Sequence, residues 1–64
     1  MEINFNKIRY YRRKKGMTLN ELALKTELSK GYLSHLETGG RSNPSLETIL
    51  KIANALGEDI GKLF

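Results

Sequence analysis

Apolar residues recur at helical spacing along nearly the whole of this 64-residue chain, and five helices and no strand emerge. Phe5, Ile8 and Tyr11 share one face of a helix over roughly 5–15. Gly16 closes it, because glycine enters the left-handed conformation of a helix stop without a Cβ clash. Thr18-Leu19-Asn20-Glu21 is a capping box, in which the Thr18 hydroxyl accepts from the Glu21 amide and the Glu21 carboxylate reaches back to the Thr18 amide. A second helix starts there and runs to about Thr26. After a turn at Glu27 and Leu28, Ser29 caps a third helix that ends near Glu37, ahead of Gly39 and Gly40. Residues 38–44 form the one real loop. A fourth helix carries apolar Leu46, Ile49, Leu50, Ala53 and Leu56 and stops at Gly57. Its cap is either Ser45, or Asn43 with Pro44 at the first helical position. Residues 58–64, acidic in front with Ile60, Leu63 and Phe64 behind, read as a fifth, short helix. The fold class is all-α, a compact five-helix bundle.

Within it, Leu22, Ala23, Leu28, Leu33 and Leu36 occupy the positions that two short helices crossing at a tight turn need apolar or small. Ala23 is small where the third helix crosses above it, and the leucines fill the space between the helices. Residues 19–38 therefore read as a central helix-turn-helix, a unit that holds one polar helix face out of the protein and into a DNA major groove. Two positions depart from the usual pattern. Thr26 stands where a more apolar residue is common, and Glu27 where glycine most often takes a left-handed turn. A non-glycine residue held there costs about 1 kcal/mol.

Charge sharpens this picture. The formal net charge is +4, and it is uneven: residues 1–30 carry eight Lys/Arg against three Asp/Glu, residues 31–64 three against four. The run Arg12, Arg13, Lys14, Lys15 either complements the dipole at the first helix's end or faces a polyanion. One domain spanning 1–64 is expected, and a chain this short buries only roughly 60% of its unfolded surface. The chain has no cysteine, so helix packing, with or without dimerisation, must supply the stability that disulfides give other small domains. No apolar run approaches the roughly 20 residues that span a bilayer, and the N-terminus lacks a signal-peptide core. The expectation is a soluble, cytoplasmic protein.

The segments Arg12-Arg13-Lys14-Lys15-Gly16, Leu19-Asn20-Glu21-Leu22-Ala23, Lys30-Gly31-Tyr32-Leu33-Ser34, Leu36-Glu37 and Asn43-Pro44-Ser45-Leu46 together resemble the Cro/cI-type (XRE) family of helix-turn-helix regulators. Within that family the chain is most similar to the SinR-like branch of bacterial repressors. The resemblance covers nearly the whole chain. It implies a lambda-repressor-like domain that binds an inverted-repeat operator as a dimer, and a structural ion pair between Arg12 and Glu37.

Helical phase selects the DNA-facing residues. With Leu33 and Leu36 inward, the leading outward face of the third helix carries Lys30, Gly31, Tyr32 and His35, which match the family's base-reading positions. Lys30 donates to a guanine edge or to a phosphate. Gly31 either permits close approach or is a tolerated glycine in the first turn. Tyr32 meets a thymine methyl or a phosphate, or packs on the neighbouring helix. His35 reaches a base edge or a phosphate, or is a surface residue. Backbone contacts are expected from the amides of Leu19 and Asn20 at a helix N-terminus, from Ser29, and from Gly40, Arg41 and Asn43 in the loop where the family clamps the next phosphate. No metal site or cofactor is expected, since carboxylates alone would have to complete the coordination of one histidine.

The expected function is sequence-specific binding of double-stranded DNA by a transcriptional regulator, most simply a dimeric repressor. The end formed by Ile60, Leu63 and Phe64 supplies the dimer contact, packs inside the monomer, or leads into a further sensor, oligomerisation or cupin domain. An antitoxin-like module that neutralises a protein partner and binds DNA to autoregulate is the alternative, and a protein antagonist is a further partner class. An enzyme is not expected: there is no Ser/His/Asp or Cys/His set, no phosphate-cradling glycine loop and no paired carboxylates facing a cleft.

Overall fold

The computed structural model describes residues 3–39 and 44–64. Four α-helices follow one another: α1 (Phe5–Lys14), α2 (Leu19–Thr26), α3 (Lys30–Glu37) and α4 (Leu46–Leu56). Each begins at a side-chain cap. Asn4, Thr18, Ser29 and Ser45 accept from the amides of Asn6, Glu21, Tyr32 and Thr48, so Ser45 caps the fourth helix. The stops are equally local. Gly16 at φ 69° lets its own amide bond the Arg13 carbonyl at 2.9 Å and the Met17 amide the Arg12 carbonyl at 3.0 Å, the paired closure of a Schellman motif. Gly57 repeats it at the end of α4, with the Glu58 amide on the Ala53 carbonyl at 3.0 Å.

The fifth helix is a correction. Residues 58–64 contain a single 3-10 helix, Ile60–Leu63, with the Lys62 amide on the Asp59 carbonyl at 2.9 Å. A segment this short gains too few i to i−4 bonds to offset nucleation of an α-helix, and i to i−3 closure needs fewer residues. Tertiary contacts hold it instead. The Asn4 amide donates to the Leu63 carbonyl at 2.7 Å, and Lys7 Nζ donates to the Phe64 carbonyl at 2.7 Å.

Ile8, Leu22, Leu33, Leu36, Ile49, Ile52, Ala53, Leu56 and Leu63 form the core, and every helix contributes to it. Leu63 is fully buried while Ile60 and Phe64 pack half-buried against the same cluster. Of that apolar end, Leu63 packs inside the monomer. The face of α4 is rotated from the expected one: Ile52 is buried, whereas Leu46 and Leu50 are 63% and 42% exposed. At 3.6 residues per turn, Ile49, Ile52, Ala53 and Leu56 share one arc and Leu50 lies about 100° from Ile49.

Candidate nucleic-acid interface

The turn between α2 and α3 sets how α3 is presented. Glu27 adopts φ 61°, ψ 23°, the left-handed conformation expected at this step, without a glycine to relieve it. Its neighbour Thr26 is buried, and its hydroxyl donates to the Leu22 carbonyl at 2.7 Å and accepts from the Leu28 amide at 3.3 Å. The polar residue at an apolar position is thus fully bonded, and it ties the last turn of α2 to the chain entering α3.

The far end of α3 is fixed by charge. Arg12 Nε donates to Glu37 Oε2 at 2.6 Å, Nη2 donates to Oε1 at 2.9 Å, and Nη1 donates to the Met17 carbonyl at 2.7 Å. Both residues are buried. Hydrogen bonding to Glu37 pushes the guanidinium pKa up, against the opposing effect of burial.

Held at both ends, α3 buries Leu33, Leu36 and Glu37 and exposes Lys30, Gly31 and His35. Tyr32 sits at the edge of this surface, half-buried and packed against the core, so part of its ring serves the fold. A Cβ added at Gly31 would meet nothing within 4 Å. The protein itself therefore gives no steric reason for a glycine in the middle of the exposed stripe. Ser34 and Thr38 flank the same stripe and are not among the expected site residues, although the phase set by Leu33 and Leu36 places them there. Thr38 Oγ1 is engaged locally, donating to the Ser34 and His35 carbonyls at 3.1 and 3.0 Å.

At the start of α2 the capping box is complete. The Thr18 amide and Glu21 Oε1 are 3.1 Å apart, as are the Glu21 amide and Thr18 Oγ1. Donation from the Thr18 backbone and hydroxyl holds the Glu21 carboxyl below the usual glutamate range. The Leu19 and Asn20 amides point from the first turn, with Asn20 exposed and the Leu19 side chain half-buried. Ser29 is exposed at the head of α3, its Oγ accepting from the Tyr32 amide at 3.0 Å. Gly40, Arg41 and Asn43 lie outside the described residues. Among the described residues no group of three or more His, Asp or Glu side chains is arranged to hold a metal ion.

The helix-turn-helix family model HTH_3 matches residues 8–63. The transcriptional regulator SlrR of Bacillus subtilis (strain 168) is 40% identical over 57 residues, 89% of this chain and 38% of its own length. SinR of the same strain is 37% identical over 57 residues, covering 51% of SinR. The chain thus spans about half or less of these curated relatives. The structure of SinR, the master regulator for biofilm formation, in complex with DNA superimposes with a TM-score of 0.87 at 35% identity, over 94% of this chain and 98% of that one. The restriction-modification controller protein C.AhdI from Aeromonas hydrophila also gives 0.87 at 35% identity, over 94% and 89%.

Proposed function

The chain belongs to the helix-turn-helix family, and on that premise we propose that it is the sequence-specific DNA-binding part of a transcriptional regulator, a repressor acting as a dimer on an inverted-repeat operator. The observation that carries this reading is the outward face of α3. A polar stripe of Lys30, Gly31 and His35 is held between a hydrogen-bonded turn and a buried ion pair, in a backbone superimposable on DNA-bound SinR.

In this reading residues 1–64 act as one domain with the helix-turn-helix at about 19–38. Lys30, Gly31, Tyr32 and His35 read bases, and Tyr32 does so with the part of its ring that the core leaves free. The amides of Leu19 and Asn20, the Ser29 hydroxyl and the loop residues Gly40, Arg41 and Asn43 position the phosphate backbone without reading sequence. Two recognition helices of a dimer would enter successive major grooves about 34 Å apart on one side of the duplex. Leu46 and Leu50, exposed one turn apart on α4, offer apolar surface for that dimer, since Leu63 is committed to the core. The 38% and 51% shares of SlrR and SinR support a longer regulator of which this is the DNA-binding portion. Among the described residues no helix is long and apolar enough to cross a membrane. A DNA ligand places the working protein in the cytoplasm, on the nucleoid. The reading assigns the chain no catalytic step.

Selection of bound sites from random duplex DNA tests it. The expected result is a short palindromic consensus, which reports base preference and dimer symmetry together. Absence of any enrichment over competitor at moderate salt would overturn it.

A further inference from the structure

Six cations lie between residues 7 and 15, and the fold engages three of them. Lys7 holds the Phe64 carbonyl, Arg12 pairs with Glu37, and Lys15 Nζ lies 3.5 Å from Glu58 Oε2. The other three, Arg9, Arg13 and Lys14, are exposed and have no carboxylate within 4.0 Å among the described residues. They gather with Asn6 around Tyr10 in one shallow depression. Tyr10 is 58% exposed, an unusual position for a ring this size. Its orientation is nevertheless set: it stands edge-on to Tyr11 at 5.0 Å with an interplanar angle of 80°, and Lys14 Nζ lies 5.8 Å from its centroid. No acidic residue occurs on α1 to neutralise the cluster.

The direction of this patch separates it from the α3 stripe. Arg12 points from α1 toward α3, and Tyr10, two residues earlier, lies about 200° round the helix from it. On α3, Glu37 points back toward Arg12, and His35, again two residues earlier, is turned about 200° away. Lys14 stands with Tyr10 in this phase, whereas Arg9 and Arg13 lie about 60° and 100° from Arg12 on one flank. The Tyr10–Lys14 part of the patch and the Gly31–His35 part of the stripe thus face outward from opposite sides of the Arg12–Glu37 contact.

We propose that this face of α1 binds an acidic segment of a partner protein, and that it does so while α3 stays on DNA. The chemistry matches: guanidinium groups take carboxylates in two-point bonds, and a fixed, half-exposed tyrosine is a favoured anchor for an apolar or aromatic side chain within such a segment. Simultaneous occupancy rests on the DNA-binding reading; the peptide site itself does not.

The test uses a short labelled peptide of glutamates and aspartates around one phenylalanine, titrated into the isotope-labelled chain at about 0.1 M salt, where long-range attraction is largely screened. Amide shifts are followed on the free chain and on the chain saturated with a selected duplex. Expected are shifts centred on Arg9, Tyr10 and Arg13 that persist with duplex bound. Tyr10→Ala and the double variant Arg9→Gln/Arg13→Gln should each weaken the peptide by about tenfold or more, with duplex affinity within about twofold and helicity unchanged. Shifts centred on α3, displacement of the peptide by duplex, loss of duplex affinity in these variants, or no peptide binding would each overturn the proposal. A failure of the DNA-binding reading would show separately, as a chain that maps the peptide to α1 yet retains no duplex.

Discussion

Arg12 on α1 and Glu37 at the end of α3 form a buried two-point ion pair, Nε to Oε2 at 2.6 Å and Nη2 to Oε1 at 2.9 Å. A third donor of the same guanidinium binds the Met17 carbonyl at 2.7 Å, so one side chain joins α1, the α1–α2 loop and α3. Removing one member leaves the other as an unpaired buried charge. Arg12→Ala should therefore cost about 3–5 kcal/mol, a large part of the stability of a domain this size. In urea denaturation the variant should be largely unfolded at the start of the titration. Replacing both members with apolar residues should recover much of the loss, and a variant Arg12→Ala as stable as the parent would deny the pair its role.

Gly31 offers a way to separate folding from recognition. A Cβ there meets nothing in the protein, and alanine favours the helix over glycine by up to about 1 kcal/mol. Gly31→Ala should raise the melting temperature while lowering affinity for the selected duplex, because the added methyl stands between α3 and the groove. Raised stability with unchanged duplex affinity would mean that α3 does not approach DNA along this stripe.

Lys30→Ala and Tyr32→Ala should each weaken binding to the selected site by about 1–3 kcal/mol for every base-edge interaction the side chain supplies, with little change for random duplex. Fluorescence anisotropy against both DNAs distinguishes base reading from phosphate binding. Equal losses on both would reassign Lys30 to the backbone. Tyr32→Ala should also lower stability, since the ring packs half-buried on the core.

The α2–α3 turn carries opposing effects in adjacent residues. Glu27→Gly should stabilise by about 0.5–1 kcal/mol by relieving a left-handed residue with a Cβ, less the backbone entropy of glycine. Thr26→Val should cost about 1 kcal/mol or more, because the half-buried Leu28 amide loses its acceptor. Chemical denaturation of the two variants gives both signs, and a destabilised Glu27→Gly would show that the carboxylate side chain matters more than the strain.

Glu21 predicts a pH dependence. Donation from Thr18 places its folded-state pKa below the unfolded value, so the folded chain takes up this proton less readily than the unfolded one. The contribution is complete above the ordinary glutamate range near about 4.3 and is lost as pH falls through the lower folded value. Glu21→Gln keeps a capping amide without the charge. Thermal melts from neutral pH into that acid range should show the parent's advantage over this variant shrinking, and a constant difference would remove the carboxylate's charge from the account.

What the chain determines alone is local. The caps at Thr18 and Ser29 and the stops at Gly16 and Gly57 are legible because each acts within about one turn, through hydrogen bonds or a backbone conformation that a single residue type favours. The fourth helix leaves Ser45 and Asn43 open in sequence, and the structure selects Ser45. The phase of α3 is legible as well, because Leu33 and Leu36 fix which side faces inward and hence that Lys30, Gly31 and His35 face out. The Arg12–Glu37 pair follows from the family resemblance, not from spacing, since nothing within either helix brings residues 25 positions apart together.

The tertiary structure decided the rest. Periodicity does separate the faces of α4, since Ile49, Ile52, Ala53 and Leu56 stand at i, i+3, i+4 and i+7 with Leu46 and Leu50 to one side. What packing adds is that α2 and the C-terminal turn cover only that arc, so the two leucines stay outside. The last segment is a 3-10 turn because its bonds to Asn4 and Lys7 reward an abrupt closure, a long-range effect invisible in seven residues of sequence. The sequence shows a basic run at Arg12, Arg13, Lys14 and Lys15 with Lys7 and Arg9 ahead of it, and only packing assigns Lys7, Arg12 and Lys15 to partners far along the chain. What remains around Tyr10 is then a surface, defined by which charges the fold has not neutralised.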